Sequence, residues 1–358
     1  MNNVSFIVSI DNSFELVNNF FENFLCNTFV KESEIIVVID CVYNIILLNY
    51  LNDLKQQHTN ITLVSLDIKA GYGKANNIGV AKSSGRYIFF INTDIFADND
   101  CFIKMYSVLS SSKADCVQPL LLYPQNNRIQ CAGTIFGPYY KNHLFSGRRL
   151  ENIDLSSFPI ERQALTSALY AMKKETFLEY GQFDEFYFNK IESMELSLKL
   201  SLNHKKCVCI SDAVAYHAQG TSRKNYYFDF NQQEAHFWSH IGRKARVDIC
   251  EYYRLQLCDE MKNSTYYIVA ITQVRNVLSV IEEIPIEYCN YTEINGINPA
   301  KVNLYDLLPY SIQKLNIPIL FYVENITALS NNQKWFKERK QNDIVLDTFG
   351  NLIYSSAI

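Results

Sequence analysis

Residues Ala70 to Asp94, AGYGKANNIGVAKSSGRYIFFINTD, join a glycine-rich turn, an amphipathic stretch and an apolar run that stops at Asn92-Thr93-Asp94. Five consecutive strand formers, Tyr87 to Ile91, predict a strand buried on both faces and therefore one lying in a parallel sheet. A carboxylate at the carboxyl end of such a strand points into the crevice where open α/β sheets bind their ligands. Asp94 thus stands where a divalent metal could bridge the protein to a diphosphate. An ordinary strand followed by an Asn/Asp turn has the same local pattern, so the segment needs support from elsewhere in the chain.

That support comes from a second segment, Gly181 to Lys224, which reads GQFDEFYFNKIESMELSLKLSLNHKKCVCISDAVAYHAQGTSRK. It contains Gly181-Gln182-Phe183-Asp184-Glu185, an acidic helix start, and Tyr216-His217-Ala218-Gln219-Gly220-Thr221-Ser222-Arg223 after a strand-like run. Between the two segments stand Gln118-Pro119-Leu120-Leu121-Leu122-Tyr123 and Arg128-Ile129-Gln130-Cys131-Ala132-Gly133. In this order the motifs resemble those of the family 2 glycosyltransferases with the GT-A fold, especially bacterial enzymes of O-antigen and capsule synthesis, rhamnosyltransferases among them. The resemblance covers Val4 to Tyr253.

The resemblance implies an α/β nucleotide-diphospho-sugar transferase fold, a UDP- or dTDP-sugar donor, Mn²⁺ or Mg²⁺ as cofactor, and a surface-polysaccharide or lipid-linked glycan acceptor. It assigns Asp94 and His217 to the metal, with Asn92 and Thr93 beside it. Asp40, ending the second strand, matches a carboxylate that accepts from the pyrimidine, and Asn12 matches the Asn of a V-Y-N turn. Gly71, Gly73 and Asn77 match a G-x-x-x-A-N-N-x-G run along the nucleotide, to which Lys74 adds positive charge, while Ser222 and Arg223 would contact phosphate. One departure stands out. Where the family carries a catalytic Asp at the acidic helix, this chain has Ser193, a residue without useful basicity and a favoured helix N-cap. The base then falls to Glu192 next to it, or to Glu195 a turn onward, or activity is lost. Two functions follow: a metal-dependent, inverting glycosyltransferase, or a catalytically impaired homologue that binds a sugar nucleotide or a partner.

The elements that must position these residues alternate between strand and helix through the N-terminal half. Strands are predicted at Val4 to Ile10, Glu34 to Ile39, Ile61 to Leu66 and Tyr87 to Ile91, and helices at Phe14 to Leu25, Tyr43 to His58 and Lys74 to Ser83. Beyond Asp94 the pattern loosens, with a helix at Cys101 to Leu109, extended segments at Cys116 to Leu122 and Gln130 to Phe136, and a mobile loop from Gly137 to Pro159. The domain reading is 1–220 for the GT-A domain, 221–262 for a helical extension, and 263–358 for an accessory region making acceptor or oligomer contacts. Aromatic residues there, including Tyr266, Tyr267, Tyr305, Tyr310, Phe321 and Trp335, suit sugar stacking, an interface or a packed lobe alike.

With 358 residues, 48% hydrophobic, the chain can bury a full core. A net charge of −4 argues against nucleic acid as partner. No apolar run reaches membrane-span length and the N-terminus lacks a basic n-region, so the expected location is cytoplasmic; the basic stretch Arg243 to Arg246 suits an anionic membrane surface but is read first as a solvated helix face. The ten scattered cysteines read as reduced core thiols. His236 and His240 are four apart on a predicted helix, but Phe237, Trp238 and Ser239 separate them, which favours packing over a shared metal.

Overall fold

The computed structural model describes residues 3–10, 13–136, 141–147, 149–150, 160–218, 230–246, 248, 265–272, 288–295, 302–323, 332–339, 341, 343–347 and 352–355. They fall into two compact units: Met1–Ile135 with His143–Arg246, and Phe136–Asn142 with Val247–Ile358. The expected boundary near Lys262, and the site candidates Asn12, Ser222 and Arg223, lie outside the described residues, as does most of the loop expected between 137 and 159.

The first unit opens with β1 (Val4–Ile10), α1 (Phe14–Phe24), α2 (Thr28–Lys31), β2 (Glu34–Asp40), α3 (Ile45–Gln57), β3 (Ile61–Leu66), α4 (Tyr72–Lys82) and β4 (Tyr87–Ile91). These strands pair in parallel in the order β4-β1-β2-β3. Alternation along β1 explains the helices on both faces: Phe6 and Val8 join one core with α1, α3 and residues 101–109, while Ile7 joins another with Ala75 and Val80 of α4. Gly79 lets α4 lie against the sheet, since a Cβ there would meet Ile7 at 2.5 Å and Val38 at 3.0 Å.

Beyond Asp94 come β5 (Ile95–Ala97), α5 (Asn99–Ser110), β6 (Cys116–Leu122), β7 (Ile129–Cys131), β8 (Thr134–Phe136), β9 (Lys141–His143), β10 (Ile160–Glu161), β11 (Leu169–Lys173), α6 (Lys174–Glu179), α7 (Glu192–Leu202), β12 (Cys207–His217) and α8 (Phe230–His240). The full path is β10-β12-β6-β11-β4-β1-β2-β3, with β5 beside β12 and β7 beside β6. Strand β11 runs antiparallel between β4 and β6, a reversal that the short, unpunctuated run LYAMK does not announce. The extended segment expected from Gln130 to Phe136 is two strands, broken where Gly133 takes φ +99°. Among the described residues, no helix is long and apolar enough to cross a membrane.

The second unit has a sheet of its own. Strands β13 (Tyr266–Thr272), β14 (Tyr288–Asn295), β15 (Ile319–Val323), β16 (Ile344–Asp347) and β17 (Leu352–Ser355) lie in the order β14-β13-β15-β16-β17, parallel except for the last pair. Helices α9 (Leu304–Leu307), α10 (Tyr310–Gln313) and α11 (Gln333–Arg339) accompany it. Tyr266, Tyr267, Phe321 and Trp335 are buried, so packing claims them, whereas Tyr310 is 71% exposed. Arg339 sits in the interior, its Nε 2.7 Å and Nη2 3.1 Å from the two oxygens of Asp343, its other N–H groups donating to the carbonyls of Ile312, Gln313 and Ile317. Asp343 also accepts from the Ile319 N–H.

Removing one partner of a buried, hydrogen-bonded ion pair leaves the other charge stranded, a loss of about 3–5 kcal/mol. Arg339→Met is expected to destabilise the second unit by that order in denaturant unfolding followed by Trp335 fluorescence, and Arg339→Met with Asp343→Leu to recover much of it. A single-variant loss below about 1 kcal/mol contradicts this account of the pair.

Candidate functional site

The strand register brings Asp94 to His217. After β4, the Asn92 N–H donates to the Ala168 carbonyl at 3.0 Å, and the chain turns into β5, where Ile95 lies opposite His217 of β12. The Ala218 N–H closes the junction on the Asp94 carbonyl at 3.0 Å. The two side chains, 5% and 6% exposed, meet with Asp94 Oδ1 3.2 Å from His217 Nε2.

Gln130 of β7 fixes the imidazole from its other side. Its Nε2 donates to the His217 backbone carbonyl at 3.2 Å, which orients the amide so that Oε1 accepts from His217 Nδ1–H at 2.6 Å. With Nδ1 carrying the proton, the neutral ring directs the lone pair of Nε2 at a carboxylate oxygen. Two electron pairs facing each other in a buried crevice call for a cation between or beside them, either a second proton on His217 or a metal ion. One imidazole nitrogen and one carboxylate oxygen form a donor set suited to a divalent ion, and a histidine ligand whose second nitrogen is hydrogen-bonded is the usual arrangement.

The glycine turn is held from below. Both Asp40 oxygens accept backbone N–H groups, Oδ1 from Ala70 at 2.7 Å and Oδ2 from Gly71 at 3.1 Å, and Lys69 lies 3.3 Å from Oδ2. Gly71 takes φ +81°, and a Cβ there would strike Phe188 at 2.8 Å, so glycine is required twice over. The Asn77 amide spans the Phe183 backbone, donating to its carbonyl at 2.9 Å and accepting from its N–H at 3.1 Å. Lys74 pairs with Glu185 at 3.5 Å, with both side chains about half exposed. In this structure Asp40 and Asn77 therefore anchor backbone, and Lys74 balances a neighbouring carboxylate.

The start of α7 departs from expectation. Ile191 occupies the N-cap position, so Ser193 is not the cap: it lies inside the first turn, buried, its hydroxyl 3.4 Å from the Leu165 carbonyl. Glu192 is 0% exposed and neither carboxylate oxygen has a hydrogen bond. Burial pushes its carboxyl up to about 7, an effect that nearby N–H groups of residues 190–192 and Gly73 partly offset. Gly73 lies directly over it, for a Cβ at Gly73 would come within 3.1 Å of Glu192 Cγ. Lys190, two residues earlier, takes φ +108°, a strained conformation for a non-glycine residue at the entry to the helix.

Tyr72 links the two halves of the site. Its hydroxyl donates to the Ser167 carbonyl at 3.0 Å, and burial raises its pKa, with the negative charges of Glu192 and Asp94 adding to the effect. Both carboxylates are thus near one phenol. Glu195 faces elsewhere, toward Asp184, Tyr187, His236 and His240, and burial raises its pKa as well. Sequence reasoning passed over Gln130 and Tyr72. Gln130 lies inside the I-Q-x-A-G run and was therefore within reach of a motif reading, whereas nothing local marks Tyr72.

Residues 5–165 match the model of Glycosyl transferase family 2. A poly(ribitol-phosphate) beta-glucosyltransferase of Bacillus spizizenii is 21% identical over 113 residues, which cover 31% of this chain and 18% of that protein. The O-antigen biosynthesis protein RfbC of Myxococcus xanthus is 25% identical over 181 residues, covering 48% of this chain and 14% of the relative. The chain thus spans less than a fifth of either relative's length. Among solved structures, GalNAc-T7 with UDP, GalNAc and Mn²⁺ is similar with a TM-score of 0.51 and 15% identity, over 60% of this chain and 43% of the other, a likeness of fold alone. The matched residues span the strands β1 to β4 that lead to Asp94; over them the chain is similar to glycosyl transferase family 2, and its fold is the GT-A fold.

Proposed function

We propose that the protein is a metal-dependent glycosyltransferase that moves a sugar from a UDP- or dTDP-sugar onto a surface polysaccharide or lipid-linked glycan, with inversion at the transferred carbon. The observation that carries this reading is the buried Asp94–His217 pair at 3.2 Å, with its imidazole held by Gln130. The names of the two curated relatives support a polysaccharide acceptor. A divalent ion held by Asp94 and His217 would neutralise the leaving diphosphate. Asp40 holds the glycine turn in place through Ala70 and Gly71 and keeps unused lone pairs for a pyrimidine N–H. Glu192, with its pKa near neutrality, suits the base: it takes the proton from the acceptor hydroxyl while the oxygen bonds to the sugar carbon and the carbon–diphosphate bond breaks.

One observation favours a second reading. Ser193 occupies the family's base position and Glu192 is fully covered, an arrangement that also suits a protein binding sugar nucleotides without transferring them. Under that reading Ser193→Asp is expected to confer donor hydrolysis on an otherwise inactive parent.

Two outcomes are expected. Asp94→Ala abolishes, and His217→Ala weakens, the stabilisation of the protein by UDP- or dTDP-sugars in Mn²⁺, measured by thermal shift, with little change in the melting temperature of the protein alone. Gln130→Ala weakens the same metal response by about tenfold or more, because the imidazole loses its orienting partner. Parent-like donor responses in both Asp94→Ala and His217→Ala mean that the metal assignment is wrong.

Glu192→Gln is expected to lower turnover by roughly a hundredfold or more with donor binding nearly intact. The same variant has a stability signature. A carboxyl raised from 4.5 to about 7 on folding makes the native state bind the proton more tightly, so its contribution is fully present below pH 4.5 and is lost as pH rises through 7. The variant, which cannot ionise, therefore gains stability relative to the parent between pH 5 and pH 8, by up to about 3 kcal/mol. Full activity in Glu192→Gln removes this residue as base, and a stability difference independent of pH removes its raised pKa.

A further inference from the structure

Away from the Asp94–His217 pair, α7, α8 and the turn at Phe183 to Glu185 bring three more ligand-type side chains together. Donor atoms of Asp184, Glu195 and His236 all lie within 4.8 Å of one another, with His236 Nε2 3.1 Å from Asp184 Oδ2. Among the described residues this is the one group of three or more His, Cys, Asp or Glu side chains so arranged. The imidazole is fixed by its neighbours: Phe186 stacks on it at 3.9 Å and 21°, Tyr187 meets it edge-on at 5.3 Å, and His240 lies 4.0 Å away at 46°. Its Nε2 therefore points at the carboxylates as a matter of packing.

A second observation shows that this group is short of a partner. Tyr187 is 1% exposed, and its hydroxyl, turned to Glu195 closely enough for each group to shift the other's pKa, makes no hydrogen bond of good geometry. Glu195 Oε2 is likewise buried and unbonded. Neither Asp184 nor Glu195 has a lysine or arginine partner among the described residues; the positive groups acting on Glu195 are the imidazoles of His236 and His240. Two carboxylates, Asp184 about a third exposed and Glu195 more covered, face one imidazole here, a negative excess that a bound cation balances.

We propose that Asp184, Glu195 and His236 form a site for one divalent transition-metal ion of the Zn²⁺ class. One imidazole nitrogen and two carboxylate oxygens provide three protein ligands, leaving a position for water to reach the Tyr187 hydroxyl. The ion replaces the proton that joins His236 to Asp184 and ties three separate elements together: the turn through Asp184, α7 through Glu195, and α8 through His236. The consequence reaches the glycine turn. The Gln233 side chain of α8 accepts from the Phe188 N–H at 3.2 Å, and the Phe188 carbonyl accepts from the Tyr72 N–H at 2.8 Å, so α8 buttresses the segment on which Gly71 and Tyr72 rest. This role is structural and does not depend on the proposed transfer reaction.

The test uses the full chain, freed of metal, carrying Asp94→Ala and His217→Ala so that the other metal pair is removed. Titration with Zn²⁺ by calorimetry, and with Co²⁺ by visible absorption, is expected to give one equivalent bound, with the d–d bands of a histidine-liganded ion. Adding His236→Ala, or the conservative Glu195→Gln, is expected to weaken binding at least about tenfold and to change those bands. Folding of each variant is checked by circular dichroism, and the conservative Glu195→Gln serves where His236→Ala fails to fold. Absence of Zn²⁺ binding in the background protein, or unchanged affinity and spectrum in folded Glu195→Gln, overturns the site.

Discussion

The candidate site depends on the way Gln130 grips His217. A buried imidazole beside a buried carboxylate has two stable solutions, an ion pair with the proton between them or a metal in its place, and the balance is set by what the second ring nitrogen does. Gln130 is anchored by donation to the His217 carbonyl, so its own oxygen can only accept, and Nδ1 must hold its proton. Nε2 is then free to serve as a ligand 3.2 Å from Asp94. The backbone makes the encounter possible: antiparallel pairing of β5 with the end of β12 places Ile95 opposite His217, and Asp94 precedes it by one residue.

Around this pair, most polar side chains near the glycine turn anchor backbone in the structure. Asp40 satisfies two N–H groups at a turn whose left-handed residue, Gly71, leaves them no partner in a helix or strand. Asn77 does the same for Phe183, tying α4 to the turn that carries Asp184. These contacts connect the glycine turn to the acidic start of α7, where Glu192 lies under Gly73. A chain of short-range constraints thus runs from β2 through the glycine turn to the residue proposed as base.

Much of the first unit was legible in the sequence because its signals are local. β1, β2, β3 and β4 announce themselves as apolar runs ending in Asn or Asp, and the spans of α1, α3 and α5 follow from helical periodicity to within two residues. The Asp94–His217 encounter was legible only through the order of motifs, since nothing in the 122 intervening residues states that their strands pair. What stayed hidden depends on tertiary context. The reversal at β11 turns on which neighbours Leu169 to Lys173 find, and a five-residue run fits either direction. Ser193 has the composition of a cap, yet the helix begins one residue earlier and buries it. His236 pairs with Asp184, 52 residues away in sequence, where a reading of its own helix sees only His240. The parallel sheet of the second unit was masked by aromatic residues whose burial, as for Trp335 and Phe321, composition alone does not reveal.

The central claim, that His217 is held with Nε2 ready to ligate, is tested most directly by ¹⁵N NMR of the histidine-labelled protein, with the His217 signals assigned by their loss in His217→Ala. The account expects the Nδ1 proton to stay in place on adding Mg²⁺ and UDP together, the Nε2 resonance to shift, and that response to be lost in Gln130→Ala. An Nε2 resonance indifferent to Mg²⁺ and UDP, or metal binding that shifts Nδ1 in place of Nε2, contradicts it.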